Sequence, residues 1–344
     1  MTQPFVSVLI PVRNEERYIE RCLYSVASQD YPRDRLEVIV IDGMSEDTTR
    51  AIVSRFAHES TIDLRLIENT RLLPAPGMNL GLNTARGDVI LRVDGHAALA
   101  PDYIRRCVDA LDAHHADCAG GVLQSEGDTY VGQAIATAMS SWFGVGGAAF
   151  RVGGRAGPVD TVAFGAYRRD VFERIGGFAE DITAGEDDEF NYRLLDAGGV
   201  IVLVPEARAT YTVRGNLAQL WRQFFAYGLA KPEVLRRHPA QAQARQFVPA
   251  LFVAGLAYGG LRATQGNGGV LKSLVAVYSG AATLASLVLI ARRRWRHLPP
   301  LPAVFACMHV SYGLGFLAGM VGLAESGVRS ARSGVREGRE TPNQ

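Results

Sequence analysis

The chain has 344 residues, which is long enough for two domains. Its 36 basic and 35 acidic residues give a formal net charge of +1, so no nucleic acid is expected as a partner. The four cysteines are scattered without a C-x-x-C pair, which favours reduced thiols over a disulfide framework or a cysteine-rich metal site.

Strand and helix patterns alternate over the first hundred residues. Short apolar runs predict four strands, and stretches with helical periodicity predict the helices between them. The strands are expected at 5–10, 36–41, 63–67 and 88–93, and the helices at 15–28, 45–58 and 78–85. This order predicts an α/β domain with a mostly parallel central sheet and right-handed crossovers.

Residues 118–215 show a more mixed pattern. A glycine-rich stretch at 144–157 precedes a predicted strand at 159–167 and predicted helices at 170–175 and 188–197. We interpret this part as the completion of the same domain, which then extends over residues 1–215.

The last third of the chain predicts a membrane region. Residues 216–246 are expected to form an interfacial amphipathic helix and linker, followed by apolar segments at 247–262, 271–291 and 299–324, in a membrane region over 247–325. The last two contain uncharged runs of 19 and 27 residues, and a membrane span needs about 20. The first is shorter and contains Pro249, which favours a re-entrant or interfacial segment or a poor span over a complete one.

Charge placement predicts the orientation in the membrane. The arginine-rich loop at 292–297 and the Arg-rich, predicted disordered tail at 326–344 both favour the cytosol. The N-terminus lacks the pattern of a signal peptide, so residues 5 to about 215 are also expected in the cytosol. Three complete spans cannot place all of these parts on one side, and the number of spans stays open.

Asp94 and His96 follow the fourth predicted strand, at the sheet edge where open α/β sheets bind ligands. One carboxylate and one imidazole, with other positions open, suit Mn²⁺ or Mg²⁺ that also carries a substrate diphosphate. The alternative is a helix N-cap aspartate followed by a surface histidine.

Two further acidic turns follow the first two strands, at 11–16 and 42–48. Asp42 can accept a hydrogen bond from a base N–H, although a plain turn with Ser45 as a helix N-cap also explains this motif. Three acidic turns at neighbouring strand ends favour one shared site.

These motifs, in this order, resemble family 2 glycosyltransferases with the GT-A fold, a Rossmann-like nucleotide-sugar domain. The resemblance covers residues 5 to about 235 and is greatest to the bacterial membrane-bound glucosyltransferases of succinoglycan-type exopolysaccharide assembly. The matching motifs lie at 11–15, 42–47, 79–81, 85–88, 94–96, 164–169, 174–178 and 185–190.

The resemblance implies roles for individual residues. It implies a nucleotide-sugar pocket formed by Pro11, Arg13, Glu15, Asp42, Asn79 and Asp94, and a metal held by Asp94 and His96. His96 replaces the usual second aspartate. Met78 replaces the usual arginine before Asn79, so another cation must neutralise the diphosphate, or the metal does more of this work.

Residues 186–189 are all acidic and begin a predicted helix, where carboxylates are favoured by the helix dipole. Inverting glycosyl transfer needs a general base for the acceptor hydroxyl. The resemblance implies Asp187 as that base, with Asp188 as its competitor and Glu186 shaping the acceptor site. The alternative is an ordinary charged helix start.

A partial match to the Q-x-x-R-W motif of processive polysaccharide synthases lies further along the chain. Gln219, Trp221 and Arg222 are its candidate acceptor or interface residues, and Gln223 stands where the motif has tryptophan. The aromatic and basic residues of this helix fit a membrane interface, and equally an amphipathic helix that packs on the domain.

The sequence therefore predicts an inverting, metal-dependent enzyme that moves a hexose from a UDP-sugar to a polyprenyl-diphosphate-linked glycan. Membrane lipid and a polysaccharide-assembly complex are the further expected partners, at a multi-pass location in the cell membrane. The alternatives are a polyprenyl-phosphate sugar synthase, a processive synthase and a non-catalytic membrane scaffold.

Overall fold

The computed structural model describes residues 3–182, 184–291 and 299–322. The chain divides into two compact units. The first contains Met1–Glu180 and Glu186–Arg214, and the second contains Asp181–Gly185 and Gly215–Gln344. The predicted boundary near residue 215 thus agrees with the end of the first unit.

Alternating strands and helices open the first unit, as predicted. They are β1 Val6–Val12, α1 Ile19–Ala27, β2 Leu36–Asp42, α2 Thr49–Glu59, β3 Asp63–Glu68, α3 Pro74–Thr84 and β4 Val89–Arg92. β1 pairs in parallel with β2 and β4, and β2 pairs in parallel with β3. Every residue of β2 is buried, as in a strand whose sheet is covered on both faces.

The rest of the first unit makes the sheet mixed. Its elements are β5 Ala97–Leu99, α4 Tyr103–Ala113, β6 Cys118–Glu126, α5 Tyr130–Met139, α6 Trp142–Val145, α7 Ala149–Val152, β7 Gly157–Pro158, β8 Ala166–Arg168, α8 Arg169–Ile175, α9 Glu186–Asp196 and β9 Ile201–Thr212. The strand order within the described residues is β3-β2-β1-β4-β8-β6-β9-β5, with β7 beside β9. β6 and β9 are parallel, whereas β8 runs antiparallel to β4 and β6, and β5 runs antiparallel to β9.

The strand predicted at 159–167 is much shorter than expected, because only Ala166–Arg168 joins the sheet. Val162 and Phe164 are nevertheless buried in the core. Their apolar character therefore serves packing rather than strand pairing, and an apolar run alone cannot distinguish the two.

An aromatic cluster anchors α9 to the core. The rings of Phe178 and Phe190 stack with their centroids 4.6 Å apart, and Phe172 stacks on Phe190 at 5.0 Å. Each such pair contributes about 0.5–1.5 kcal/mol beyond the area it buries. The cluster fixes α9, and therefore the acidic first turn of α9, against the sheet.

The second unit is helical: α10 Leu217–Arg237, α11 Ala244–Thr264, α12 Gly269–Ala291 and α13 Leu301–Met320. α11, α12 and α13 are each long and apolar enough to cross a membrane. The segment predicted as the weakest span is thus a helix of full spanning length. The predicted arginine-rich loop and the tail lie outside the described residues.

Helix α10 packs closely against α13 through small residues. A Cβ added at Gly228 would meet the backbone of Tyr312, and one at Gly315 would meet the backbone of Phe225. These glycines allow the two helix backbones to approach each other. The amphipathic helix predicted from residue 216 therefore buries one face within the second unit.

Candidate active site

Asp94 and His96 lie in the short connection between β4 and β5, at the carboxyl end of β4. A Cβ added at Gly95 would lie 2.7 Å from Cγ1 of Val12 and 3.3 Å from Cγ of Glu15. Glycine therefore lets this connection pack against the end of β1. The side chain of His96 is only 12% exposed, which rules out the surface histidine of the alternative interpretation.

Glu15 holds the imidazole of His96 in place. Nδ1 of His96 lies 2.8 Å from Oε1 of Glu15. Nε2 of His96 is buried and has no hydrogen-bond partner among the described residues. A histidine with one nitrogen on a carboxylate and the other free is the usual arrangement of a metal-binding histidine.

The residues present fit a divalent ion that a substrate helps to hold. Among the described residues, no three His, Cys, Asp or Glu side chains cluster closely enough to hold a metal by themselves. Asp94 and His96 could then serve as two protein ligands, and Mn²⁺ or Mg²⁺ would take its remaining oxygens from a substrate diphosphate and water. The assignment of Asp94 and His96 as metal ligands stays a prediction.

The protonation of His96 follows from its neighbours. Burial opposes the charged imidazolium, but the interactions with Tyr211, Glu15 and Asp94 outweigh it and raise the pKa of His96 to about 10. Because a metal binds the unprotonated nitrogen, a metal ion bound by His96 at neutral pH would displace a proton.

Arg92, the last residue of β4, joins the metal-site carboxylate to the acidic turn of α9. Its guanidinium lies 3.0 Å from Oε1 of Glu186, 3.4 Å from Oδ1 of Asp94 and 3.9 Å from Oδ2 of Asp187. The side chains of Arg92 and Glu186 are 11% and 7% exposed, so these charges interact with little screening by water. The sequence analysis missed Arg92 as a site residue, although it is the only charge in an apolar strand run.

Asp187 is more accessible than its neighbour Glu186, with 34% of its side chain exposed against 7%. Burial of the carboxyl group and the nearby charges of Asp188, Glu186 and Asp94 raise the pKa of Asp187 to about 7, against the opposing effect of Arg92. Asp188 accepts a hydrogen bond of 3.3 Å from the hydroxyl of Thr161. Asp187 itself accepts the N–H of Asp188 at 2.9 Å, and its assignment as the base rather than Asp188 stays a prediction.

Asp42 ends β2 and is completely buried. Its carboxylate accepts the N–H of Ser45 at 3.1 Å and lies 3.7 Å from Nε of Arg50. The turn of the alternative interpretation is therefore present, but Ser45 is not a helix N-cap, because α2 begins only at Thr49. Contact of Asp42 with a base stays a prediction.

The turns after β1 and β2 are bound to each other. The N–H of Asn14 donates to the hydroxyl of Ser45 at 2.9 Å, and that of Glu15 donates to the hydroxyl of Thr49 at 2.8 Å. Pro11 lies in β1 beside Ile41, and Arg13 is exposed just beyond the strand. These residues share one sheet edge with Asp94, as expected for a pocket there.

The side chain of Asn79 forms hydrogen bonds to a neighbouring segment of the first unit. Its Oδ1 accepts the N–H of Phe178 at 2.8 Å, and its Nδ2 donates to the carbonyl of Phe178 and to Oε1 of Glu180, both at 2.9 Å. The amide thus holds the segment that leads to α9. Its contact with a nucleotide stays a prediction. Met78, in place of the usual arginine, is fully buried in the core.

Gln219, Trp221 and Arg222 lie on α10, in the second unit. Asn216 caps this helix by accepting the N–H of Gln219 at 2.9 Å, and Trp221 is 38% exposed. The roles of these residues at an acceptor or interface stay predictions.

Comparisons with known proteins show which family the chain resembles. Residues 7–176 match the model of the family described as Glycosyl transferase family 2. The chain is 30% identical over 312 residues to the succinoglycan biosynthesis protein ExoA of Rhizobium meliloti (strain 1021), covering 90% of this chain and 93% of that protein. It is 25% identical over 240 residues to a dolichyl N-acetyl-alpha-D-glucosaminyl phosphate 3-beta-D-2,3-diacetamido-2,3-dideoxy-beta-D-glucuronosyltransferase of Methanococcus voltae, covering 68% and 74% of the two chains.

Among solved structures, the fold is similar to that of the mannosyltransferase PcManGT from Pyrobaculum calidifontis, determined in complex with GDP-Man and Mn²⁺. The TM-score is 0.61 at 22% identity, and the match covers 93% of this chain and 88% of that chain. The GT-A fold predicted from the sequence is confirmed. The identity to the Rhizobium protein across nine-tenths of the chain decides the family: the chain belongs to glycosyl transferase family 2.

Proposed function

We propose that the protein is an inverting, metal-dependent glycosyltransferase that moves a hexose from a UDP-sugar to a polyprenyl-diphosphate-linked glycan in cell-surface polysaccharide biosynthesis. The observation that carries the proposal is the cluster around Arg92. It brings Asp94, a candidate donor-site carboxylate, together with Glu186 and Asp187, the candidate acceptor-site carboxylates.

Asp94 and the free Nε2 of His96 would hold Mn²⁺ or Mg²⁺ at the donor diphosphate. A bound divalent ion supplies positive charge that stabilises the departing nucleoside diphosphate. The relative from Pyrobaculum calidifontis was solved with Mn²⁺ and a nucleotide sugar, which supports this part of the proposal.

Asp187 acts as the general base. The acceptor hydroxyl attacks the anomeric carbon from the face opposite the nucleotide while the bond from that carbon to the diphosphate oxygen breaks. Asp187 takes the hydroxyl proton, and the nucleoside diphosphate leaves with the bonding electron pair, so the anomeric configuration inverts. Arg92 holds Glu186 beside Asp187.

A lipid-linked acceptor is supported by the relatives and by the second unit. The Rhizobium relative is named for succinoglycan biosynthesis, and the Methanococcus relative for a dolichyl phosphate glycan. Three helices of this chain are long and apolar enough to cross a membrane. We place the protein in the cell membrane, with the first unit in the cytoplasm and a polysaccharide-assembly complex as its setting.

The experiment incubates the full-length protein in lipid nanodiscs with Mn²⁺, a panel of UDP- and GDP-sugars and a lipid-linked oligosaccharide acceptor. We expect mass spectrometry to show the addition of one hexose with a UDP-sugar, and NMR of the product to show an inverted anomeric centre. A retained configuration contradicts the inverting mechanism. A ladder of products favours processive synthesis, and transfer to free polyprenyl phosphate favours the sugar-phosphate synthase.

A further inference from the structure

Buried polar atoms without hydrogen-bond partners concentrate at one place in the first unit. Among the described residues such atoms belong to five side chains, those of Arg65, Arg92, His96, Ser125 and Arg151. Folded proteins leave few buried polar groups unpaired, so each one needs an explanation. Arg65 and Arg92 form ion pairs with carboxylates through their other nitrogens, which leaves His96, Ser125 and Arg151.

These three side chains share one neighbour, Tyr211. The rings of His96 and Tyr211 meet edge to face with their centroids 4.9 Å apart. The guanidinium carbon of Arg151 lies 5.4 Å from the centroid of the same Tyr211 ring. Ser125 of β6 is the register partner of Tyr211 of β9, and the two strands are parallel, so the two side chains lie on the same face of the sheet.

Arg151 carries a positive charge that no carboxylate of the described residues neutralises. Its Nη1 is buried without a hydrogen-bond partner, and its contacts are with the faces of the Phe150 and Tyr211 rings. Cation–π contacts leave the N–H groups of a guanidinium free to donate. A planar guanidinium with free donors is suited to the oxygens of a phosphate.

Two other positions that could supply a cation do not do so. The position where the family has an arginine is the buried Met78, and Arg92 is already surrounded by three carboxylates. A substrate diphosphate held beside Asp94 and His96 would bring additional negative charge to an acidic cluster. Arg151 and His96 both contact the ring of Tyr211, so the guanidinium is near enough to offset the negative charge of the diphosphate.

Glycines on both sides of Arg151 let the backbone of its segment turn in a way that other residues rarely allow. Gly147 and Gly153 both have φ of +81°, a conformation that other residues rarely adopt. A Cβ added at Gly153 would meet nothing within 4 Å, so its backbone conformation rather than close packing requires glycine there.

We propose that Arg151, with the hydroxyl of Ser125, forms a diphosphate-binding site beside Tyr211 and the metal-site histidine. The inference rests on the proposed function, because that function supplies the diphosphates: that of the nucleotide sugar and that of the lipid-linked acceptor. Arg151 supplies the cation that Met78 does not, and Ser125 adds a neutral donor.

The test measures binding rather than transfer. The affinities of full-length Arg151→Ala, Arg151→Lys and Ser125→Ala proteins for Mg²⁺-pyrophosphate, UDP and UMP are compared with those of the wild type by isothermal titration calorimetry. We expect Arg151→Ala to weaken pyrophosphate and UDP binding about 10- to 100-fold, with a smaller effect on UMP. Lysine keeps the positive charge but lacks the planar N–H donors of a guanidinium, so Arg151→Lys should recover part of the lost affinity. For Ser125→Ala we expect about a threefold loss.

Arg155→Ala is the matched control, because Arg155 lies on the same glycine-rich segment but is exposed. It should bind all three ligands like the wild type, and circular dichroism checks that every variant is folded.

A steady-state assay then distinguishes the two sources of diphosphate. An Arg151→Ala protein with normal UDP binding but a raised KM for the lipid-linked acceptor assigns the site to the acceptor.

Unchanged nucleotide affinity together with unchanged acceptor KM in Arg151→Ala overturns the inference. A loss in Arg155→Ala equal to that in Arg151→Ala also overturns it, because the effect would then come from general surface charge. If the wild type binds diphosphates through Arg151 yet transfers no sugar, the proposed function fails while the inference stands.

Discussion

A single buried guanidinium, that of Arg92, holds Asp94, Glu186 and Asp187 together. Removing one partner of a buried ion pair costs about 3–5 kcal/mol, because the remaining charges stay buried and uncompensated. We expect Arg92→Met to lower the transfer rate more than 100-fold and to lower the melting temperature. Arg105→Met is the control, since Arg105 pairs with Asp30 at the surface and such a pair contributes at most about 1 kcal/mol. Equal effects of the two substitutions would contradict the role given to Arg92.

The contact of Glu15 with His96 leads to a prediction on metal binding. Loss of a partner that orients a metal-binding histidine typically weakens metal affinity about 10- to 100-fold. We expect such a loss for Glu15→Gln in a Mn²⁺ titration with UDP present, and none for Glu20→Gln, whose side chain pairs with Arg55 on the surface. Wild-type Mn²⁺ affinity in Glu15→Gln would show that His96 does not bind the ion.

The same histidine predicts proton release. Because its neighbours raise the pKa of His96 to about 10, the ring is protonated in the metal-free enzyme at pH 7.5, and metal binding must displace that proton. Calorimetry in buffers of different ionisation enthalpy should detect about one proton released per ion, and Mn²⁺ affinity should fall as the pH is lowered. A binding enthalpy that is independent of the buffer would contradict this account.

Asp187 predicts a pH-dependent effect on stability. Its pKa of about 7 in the folded protein lies above the usual aspartate value, so the folded state holds a proton that the unfolded state loses. The corresponding stability is present at low pH and is lost as the pH rises through 7. Asp187→Asn should therefore stabilise the protein more at pH 8 than at pH 5, by about 1 kcal/mol, given partial solvent screening at this side chain.

Thermal unfolding at the two pH values checks this prediction, with Asp109→Asn as the surface control, because Asp109 is exposed. If Asp187→Asn changes the stability by the same amount at pH 5 and at pH 8, the folded protein does not raise the pKa of Asp187.

At the scale of elements, Asn79 connects α3 to the segment before α9. Its three hydrogen bonds with Phe178 and Glu180 predict that Asn79→Ala lowers the free energy of unfolding by about 1–3 kcal/mol. Asn83→Ala, at an exposed position on the same helix, should have little effect. Urea unfolding measures both, and UDP titration shows whether Asn79 also binds the nucleotide, as the family resemblance implies. A free energy of unfolding equal to that of the wild type would contradict the connecting role.

The strand ends could be predicted from the sequence, whereas the contacts among their side chains could not. β1, β2 and β4 are mostly apolar, so the acidic residues at and after their ends could be found directly. Arg92 was missed because its three partners come from β4's end and from α9, almost a hundred residues away. The strand at 159–167 was wrong over most of its length because buried apolar residues there pack without a strand partner.

At the scale of the whole molecule, the chain combines a GT-A unit with three helices able to cross a membrane. The predicted apolar segments agree with α11, α12 and α13. The sequence underestimated α11, because Pro249 and several glycines interrupt its apolar run, whereas the helix continues through Pro249. Pro249 is the sixth residue of α11, so it removes one backbone hydrogen bond, that to the carbonyl of Arg245, and the helix continues beyond it.

The central claim is that this site transfers one sugar to a lipid-linked hydroxyl with Asp187 as the base. The most direct measurement is single-turnover transfer from the active nucleotide sugar to a lipid-linked oligosaccharide, compared between the wild type and Asp187→Asn at equal donor occupancy. The account predicts one hexose added by the wild type, and a rate at least 1,000-fold lower in the variant with nucleotide affinity unchanged, on the order expected for loss of a general base. Transfer by Asp187→Asn at near wild-type rate would contradict it.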